Sequence, residues 1–339
     1  MYKRLSILIL LTVLWMLSYA QDPQISQFYS AQLLLGPSFA GSTDGSRAGL
    51  NFRDQWPVIP GSFITYAVSY DHYFAGAGSG VGAMFLRDQA GTGKLSTTDM
   101  ILQYSYSFRI NRRWNARPGI QFYYSERSVD YNRMTFGDQV SVDNVASTTV
   151  EVFPGRNRAG FIDFAASGLV YSDRYWAGLT ADHLARPNES LLGIDSRIPM
   201  TYKVYGGGKV GLNGRIGKYN EESLTFAFLY KAQGKYDQLD VGVYWLKKPL
   251  IIGLWYRGIP FLKSYQKGYQ NNDALVILVG CKWNDLSFGY SYDFTISRLI
   301  TSTGGAHEGS LQYEFLQNLD SKKKRKKEVV PCPKFWEPS

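Results

Sequence analysis

From residue 46 onward the chain repeatedly alternates apolar and polar side chains. In 286–297, Leu286, Phe288, Tyr290, Tyr292, Phe294 and Ile296 alternate with Ser287, Gly289, Ser291, Asp293, Thr295 and Ser297. Successive side chains of a strand point to opposite faces, so this stretch is a ribbon with one apolar and one polar surface. Ile64, Tyr66, Val68 and Tyr70 form a similar face, as do Met100, Leu102, Tyr104 and Tyr106. Fourteen such segments are legible, at 46–55, 62–74, 79–88, 96–110, 115–126, 158–170, 174–183, 200–212, 222–231, 236–246, 249–258, 273–283, 285–297 and 306–317. Most run 10–13 residues, longer than the ~5–6 of soluble sheets and suited to the ~9–11 of a tilted strand crossing a bilayer. The pattern predicts an all-β fold, a transmembrane antiparallel β-barrel of about 14 strands and of outer-membrane type, over residues 46–317.

A barrel of this strand count has a lumen, so the apolar face is expected to meet lipid while Ser, Gly, Asp and Arg point inward. A soluble sandwich would instead bury the apolar faces between two sheets, with shorter strands. Tyr70, Tyr73, Trp114, Trp176, Trp245, Trp255 and Trp283 stand near strand ends, where interfacial aromatic girdles belong. Connections after even-numbered segments are mostly short, and those after odd-numbered ones mostly long, notably 127–157, 184–199 and 259–272. Short turns face the periplasm in such barrels, which predicts that both termini are periplasmic.

Composition sharpens this picture. The chain has 339 residues, 45% hydrophobic, 15% aromatic and 19% charged. After residue 20 no apolar run approaches the ~20 residues a membrane helix needs. Two cysteines, Cys281 and Cys332, exclude a disulfide scaffold. The formal charge of +9 suggests nucleic acid or a membrane surface, but residues 21–317 hold 28 basic and 25 acidic residues. The excess lies at the ends, so no nucleic-acid partner is expected. In 1–20, Lys3 and Arg4 precede an apolar stretch that ends in Ser18 and Ala20, the layout of a signal peptide cut before Gln21. Residues 318–339 form a basic periplasmic tail carrying Lys322, Lys323, Lys324, Arg325, Lys326 and Lys327. It is read either as a solvated charge run or as a docking site for an acidic partner, peptidoglycan or lipid heads. Residues 21–45 are too apolar to float free and are expected to form a plug or to lie along the rim.

Candidate chemistry is sparse. His72, His183 and His307 show no zinc-protease spacing. His183 and Ser190 share an expected outer loop, yet no catalytic, metal or cofactor site is expected. Gly206, Gly207 and Gly208 interrupt a strand pattern, which marks a bend or a close backbone approach. By parity Arg53, Asp71, Arg109, Asp163, Lys231, Asp293, Glu308 and Glu314 face the lumen. They form either a selective pore or, the preferred reading, a paired network that stiffens or closes the barrel.

Several stretches carry a resemblance. They are Asp22-Pro23-Gln24-Ile25-Ser26-Gln27-Phe28-Tyr29, Gly36-Pro37-Ser38-Phe39-Ala40-Gly41 and Phe52-Arg53-Asp54-Gln55-Trp56-Pro57. Ser69-Tyr70-Asp71, Gly289-Tyr290-Ser291-Tyr292-Asp293, Gly305-Ala306-His307-Glu308 and Cys332-Pro333-Lys334-Phe335 complete the set. With these the chain resembles the PorP/SprF family of type IX secretion system membrane proteins. Gln55, Trp56, Tyr290, Ser291, Tyr292, Asp293, His307 and Glu308 are taken as its motif residues. The resemblance implies an outer-membrane barrel, set in outer-membrane lipid, that serves type IX secretion and gliding. The partners it implies are an exported surface adhesin with a C-terminal sorting domain and periplasmic type IX machinery or a peptidoglycan-binding protein. It implies no catalysis and no cofactor. The barrel alone also permits a channel for solutes or lipophilic molecules.

Overall fold

The computed structural model describes residues 22–140, 149–151, 155–212, 222–266, 269–297 and 303–315. The strands are β1 (Ser46–Gln55), β2 (Phe63–Phe74), β3 (Ser79–Ala90), β4 (Leu95–Tyr106), β5 (Phe108–Arg109), β6 (Asn115–Ser128), β7 (Arg158–Tyr171) and β8 (Tyr175–Asp182). They continue with β9 (Thr201–Gly211), β10 (Glu222–Gln233), β11 (Tyr236–Lys247), β12 (Leu250–Gln266), β13 (Tyr269–Trp283), β14 (Leu286–Thr295) and β15 (Ala306–Phe315). The two-residue β5 continues β4 past Ser107, so the described residues form fourteen staves. All neighbours are antiparallel, and β1 pairs with β15 from Ser46↔Phe315 to Gln55↔Ala306. This closes the barrel, so that each stave has a hydrogen-bonded neighbour on both sides.

Outward alternation follows the sequence pattern, with Leu50, Tyr66, Val68, Met100, Leu102, Phe226, Ile277 and Tyr290 among the exposed apolar side chains. Cys281 is exposed on the same face. Among the described residues no helix is long and apolar enough to cross a membrane, a statement about helices alone.

Three expectations need correction. The segment 259–272 is mostly strand, because β12 runs to Gln266 and β13 starts at Tyr269. Register shifts after Arg257 and Ile259 break the period-two signal there, and Gly258 and Pro260 read as loop residues in the sequence. Tyr73, Trp176 and Trp255, expected in the girdles, are buried inside the barrel at 6%, 2% and 4% exposure. Both faces of their strands are partly apolar, so alternation alone could not choose the outward one.

The third concerns the N-terminal end. Asp22 lies beside Gln233 and Thr201, at the long-loop end, while Gly41 meets Asp71 near the short-turn end. The segment therefore descends the lumen before turning into β1. Phe315 is at the short-turn end, opposite Ser46, but Asp22 is at the other end. Parity arguments place strands only, so a segment passing back through the lumen was invisible to them.

Candidate functional site in the barrel lumen

Residues 22–45 contain a single helical turn, α1 (Gln32–Leu35), and a 3-10 turn (Pro37–Phe39), with most of their length buried. Phe28, Tyr29, Leu33, Leu35 and Phe39 pack on inward side chains that include Leu169, Trp176, Tyr205, Tyr244, Ile251, Trp255 and Leu278. Phe28 meets Trp255 edge-on at 4.7 Å between ring centres, and Tyr29 meets Tyr244 at 4.7 Å. These edge-to-face contacts add to the gain from area burial. The wall also makes room for backbone. A Cβ on Gly119 would lie 2.5 Å from the carbonyl carbon of Pro37, and one on Gly207 would lie 2.6 Å from the Trp176 ring. Glycine lets backbone or ring approach a strand this closely.

Toward the long-loop end the contact becomes ionic. Arg53 of β1 holds Glu308 of β15 at 3.1 Å and Asp293 of β14 at 2.9 Å. Arg257 of β12 holds the same Asp293 at 2.9 Å and Asp240 of β11 at 3.1 Å. Ser26 sits in the middle of this cluster. Its Oγ donates to Asp293 (2.7 Å) and accepts from Arg53 (2.8 Å) and Arg257 (2.7 Å). The backbone N–H groups of Ser26 and Gln27 donate to the two oxygens of Glu308 at 2.8 and 2.9 Å. The Gln27 amide donates to Ser291 Oγ, and Ser310 donates back to it. Five buried charges thus pair with each other and with two residues of the threaded segment, as buried charge requires, while Arg53 Nε and one Asp293 carboxylate oxygen make no hydrogen bond among the described residues.

Two smaller clusters tie down the ends. Near the short-turn end Arg47 bonds Asp71 and Gln32, Gly41 N–H donates to Asp71, and Arg117 donates to Gly41 O while lying over the Tyr73 ring. At the long-loop end His183 reaches Asp22 through Nε2 (3.1 Å) and Asp163 through Nδ1 (2.8 Å), and Tyr123 donates to Asp163. Burial of the His183 ring opposes its charge. The Asp22 carboxylate and hydrogen bonds to Asp163 and Asp22 outweigh that and push its pKa up to about 10. Burial likewise opposes the Asp22 charge, yet Lys231 and His183 hold that carboxyl well below the usual range.

A pKa raised on folding adds stability below the ordinary value of 6.5 that is lost as pH rises through about 10. The melting temperature of the detergent-solubilised barrel should therefore fall across that window more steeply for the intact chain than for His183→Gln. Equal slopes, read from heat-modified mobility on gels, would contradict the assignment.

The lumen brings together Arg53, Asp163, Asp293, Glu308 and Asp71, all buried. Arg109 departs from the expectation. It is exposed at the rim, because β4 breaks at Ser107 and the inward parity stops with it. Lys231 is half-buried beside Asp22 at 3.9 Å, and Glu314 pairs with Lys282 at 3.7 Å. Of the motif residues, Ser291, Asp293 and Glu308 face inward, whereas Tyr290 and His307 bond each other on the outer face at 2.7 Å. Tyr292 donates to Gly304 O, and Trp56 adopts a left-handed φ of 62° next to Gln55, at the start of the loop after β1. The residues 322–327 and Cys332 lie outside the described residues. Sequence reasoning missed Arg47, Arg257, Asp240 and Asp22 as lumen charges. Arg47 shares parity with Arg53, and Arg257 with the inward Ile251 and Trp255, so a signal was present. His183, which the sequence placed with Ser190, bonds Asp22 and Asp163 instead.

A closed fourteen-stave barrel with an apolar outer face and a lumen filled by its own N-terminal segment defines an outer-membrane barrel in an occluded form. A family model described as type IX secretion system membrane protein PorP/SprF matches residues 17–313, and the chain belongs to that family. Among solved structures the chain is similar to a KdgM porin (12% identity, 79% of this chain and 99% of that one, TM-score 0.35). It is also similar to Omp33 of Acinetobacter baumannii (7%, 80% and 99%, 0.39) and to the P. putida toluene transporter TodX (9%, 82% and 91%, 0.44). No curated protein matches the chain.

Proposed function

We propose that the protein is a partner-binding component of type IX secretion. With the long loops taken as the outer face, they hold an exported protein such as a large adhesin with a C-terminal sorting domain. The basic tail at 322–327 then meets periplasmic type IX machinery or a peptidoglycan-binding protein. One observation carries this reading within the family: the chain's own residues fill the lumen, and every stave contributes buried inward side chains to the contact. A filled lumen suits docking better than conduction. The competing reading, a channel for solutes or lipophilic molecules, requires the threaded segment to leave.

The test is deletion of the gene followed by quantification of adhesin on intact cells. Loss of most surface adhesin is the expected result, and unchanged surface adhesin sinks the proposal. Truncation of residues 321–339 should leave the folded barrel intact and lower recovery of the periplasmic partner several-fold. Loss of the barrel itself would show that the tail serves assembly.

A further inference from the structure

The short-turn end carries a charge pattern that the secretion reading does not use. Arg109, Arg112 and Arg113 lie at the turn between β5 and β6, Arg174 at the turn between β7 and β8, and Lys247 and Lys248 at the turn between β11 and β12. All six are exposed. Lys247 is held over the Trp245 ring at 6.0 Å. The acids along this arc, among the described residues, are Asp173 and Glu222, and Glu222 accepts from Trp245 Nε1. The remaining short turns differ. Residues 75–78 are Ala and Gly, Asn284 and Asp285 form another, and Lys282 nearby is paired with Glu314. The basic groups thus make a crescent along one side of the rim.

Their height is the second observation. Arg109 directly follows the outward Phe108, Arg174 directly precedes the outward Tyr175, and Lys248 lies two residues before the outward Leu250. At about 3.3 Å of rise per strand residue, these charges sit within about 7 Å of the edge of the apolar band. The headgroup layer on each side of a bilayer is roughly 5–7 Å deep. The cations are therefore level with lipid phosphates, on stems that cross the apolar boundary.

We propose that this crescent binds the phosphates of anionic glycerophospholipids in the inner leaflet of the outer membrane, gathering them on one side of the barrel. Neighbouring cations near an anionic surface each add attraction, and it is screened by salt. This inference rests on the barrel and on the short turns facing the periplasm, independently of any secreted partner.

The full chain in neutral detergent tests it, with melting temperature followed during titration with phosphatidylglycerol, phosphatidylcholine or lipid A. Phosphatidylglycerol should raise the melting temperature and phosphatidylcholine should not. The variant Arg112→Gln/Arg113→Gln/Arg174→Gln/Lys247→Gln/Lys248→Gln should need roughly tenfold more phosphatidylglycerol, or more, for the same rise. Its exposed positions leave the heat-modifiable fold as a control. Equal titrations of intact chain and variant would overturn the proposal. A response to lipid A without one to phosphatidylglycerol would overturn the inner-leaflet assignment. So would a variant that keeps the lipid response and loses a co-purifying acidic protein, which would make the crescent a protein-docking surface.

Discussion

A chain lacking residues 22–45 should pass steady ionic current in a planar bilayer, while the chain that keeps them should stay silent. A fourteen-stave barrel is wide enough to enclose a lumen, and here the occupant is the chain itself. Ser26, Gln27, Phe28, Tyr29, Leu33, Leu35 and Phe39 are all buried against inward wall residues. Without them Arg53, Arg257, Asp240, Asp293 and Glu308 face water and hydrate, giving a charged passage at the long-loop end. Trp176, Tyr205, Tyr244, Trp255, Ile251 and Leu278 become wet as well. At roughly 1.5–3 kcal/mol for each large apolar side chain fully exposed, the truncated barrel should also melt earlier. Gly119→Val gives the same test without truncation, since its side chain needs the space of the Pro37 backbone. A truncated barrel that folds and stays silent would show that the wall side chains close the lumen alone.

Arg53→Ala should cost about 3–5 kcal/mol of stability, the range for removing one partner of a buried ion pair. Asp293 keeps Arg257, but Glu308 loses its bonded cation and retains the N–H groups of Ser26 and Gln27. Arg53→Lys keeps the charge without the fork that reaches Ser26, Glu308 and Asp293 together, so it should recover part of the loss. Arg109→Ala, at an exposed position, should change stability by about 0.5 kcal/mol or less. Urea midpoints of the folded band in detergent measure all three. An Arg53→Ala midpoint within error of Arg109→Ala would contradict the clamp.

The wall was legible because period two is a strong signal when one face meets lipid. Tyr66, Val68, Met100 and Leu102 could only point outward, and their neighbours Thr65, Gln103 and Ser105 could only point in. The inward placement of Arg53, Asp293 and Glu308 follows from that parity. What occupies the lumen was less legible. Residues 22–45 have no period, and their apolar content fits a plug and a rim equally well. Trp176 and Trp255 were misread for the same reason, since an inward aromatic is sensible only once Phe28 or a close-passing backbone is known to meet it. Arg109 failed because parity holds only as far as the strand does.

In its membrane, as in this structure, the protein should keep its N-terminal segment seated inside the barrel. Ser38 and Ser167 place their Oγ atoms 2.5 Å apart, one on the threaded segment and one on the inner face of β7. In a chain with Cys281→Ala and Cys332→Ala, the pair Ser38→Cys and Ser167→Cys should form a disulfide nearly completely in outer-membrane fractions, seen as a reducible mobility shift. Two free thiols at these positions, both open to a water-soluble maleimide, would contradict the account.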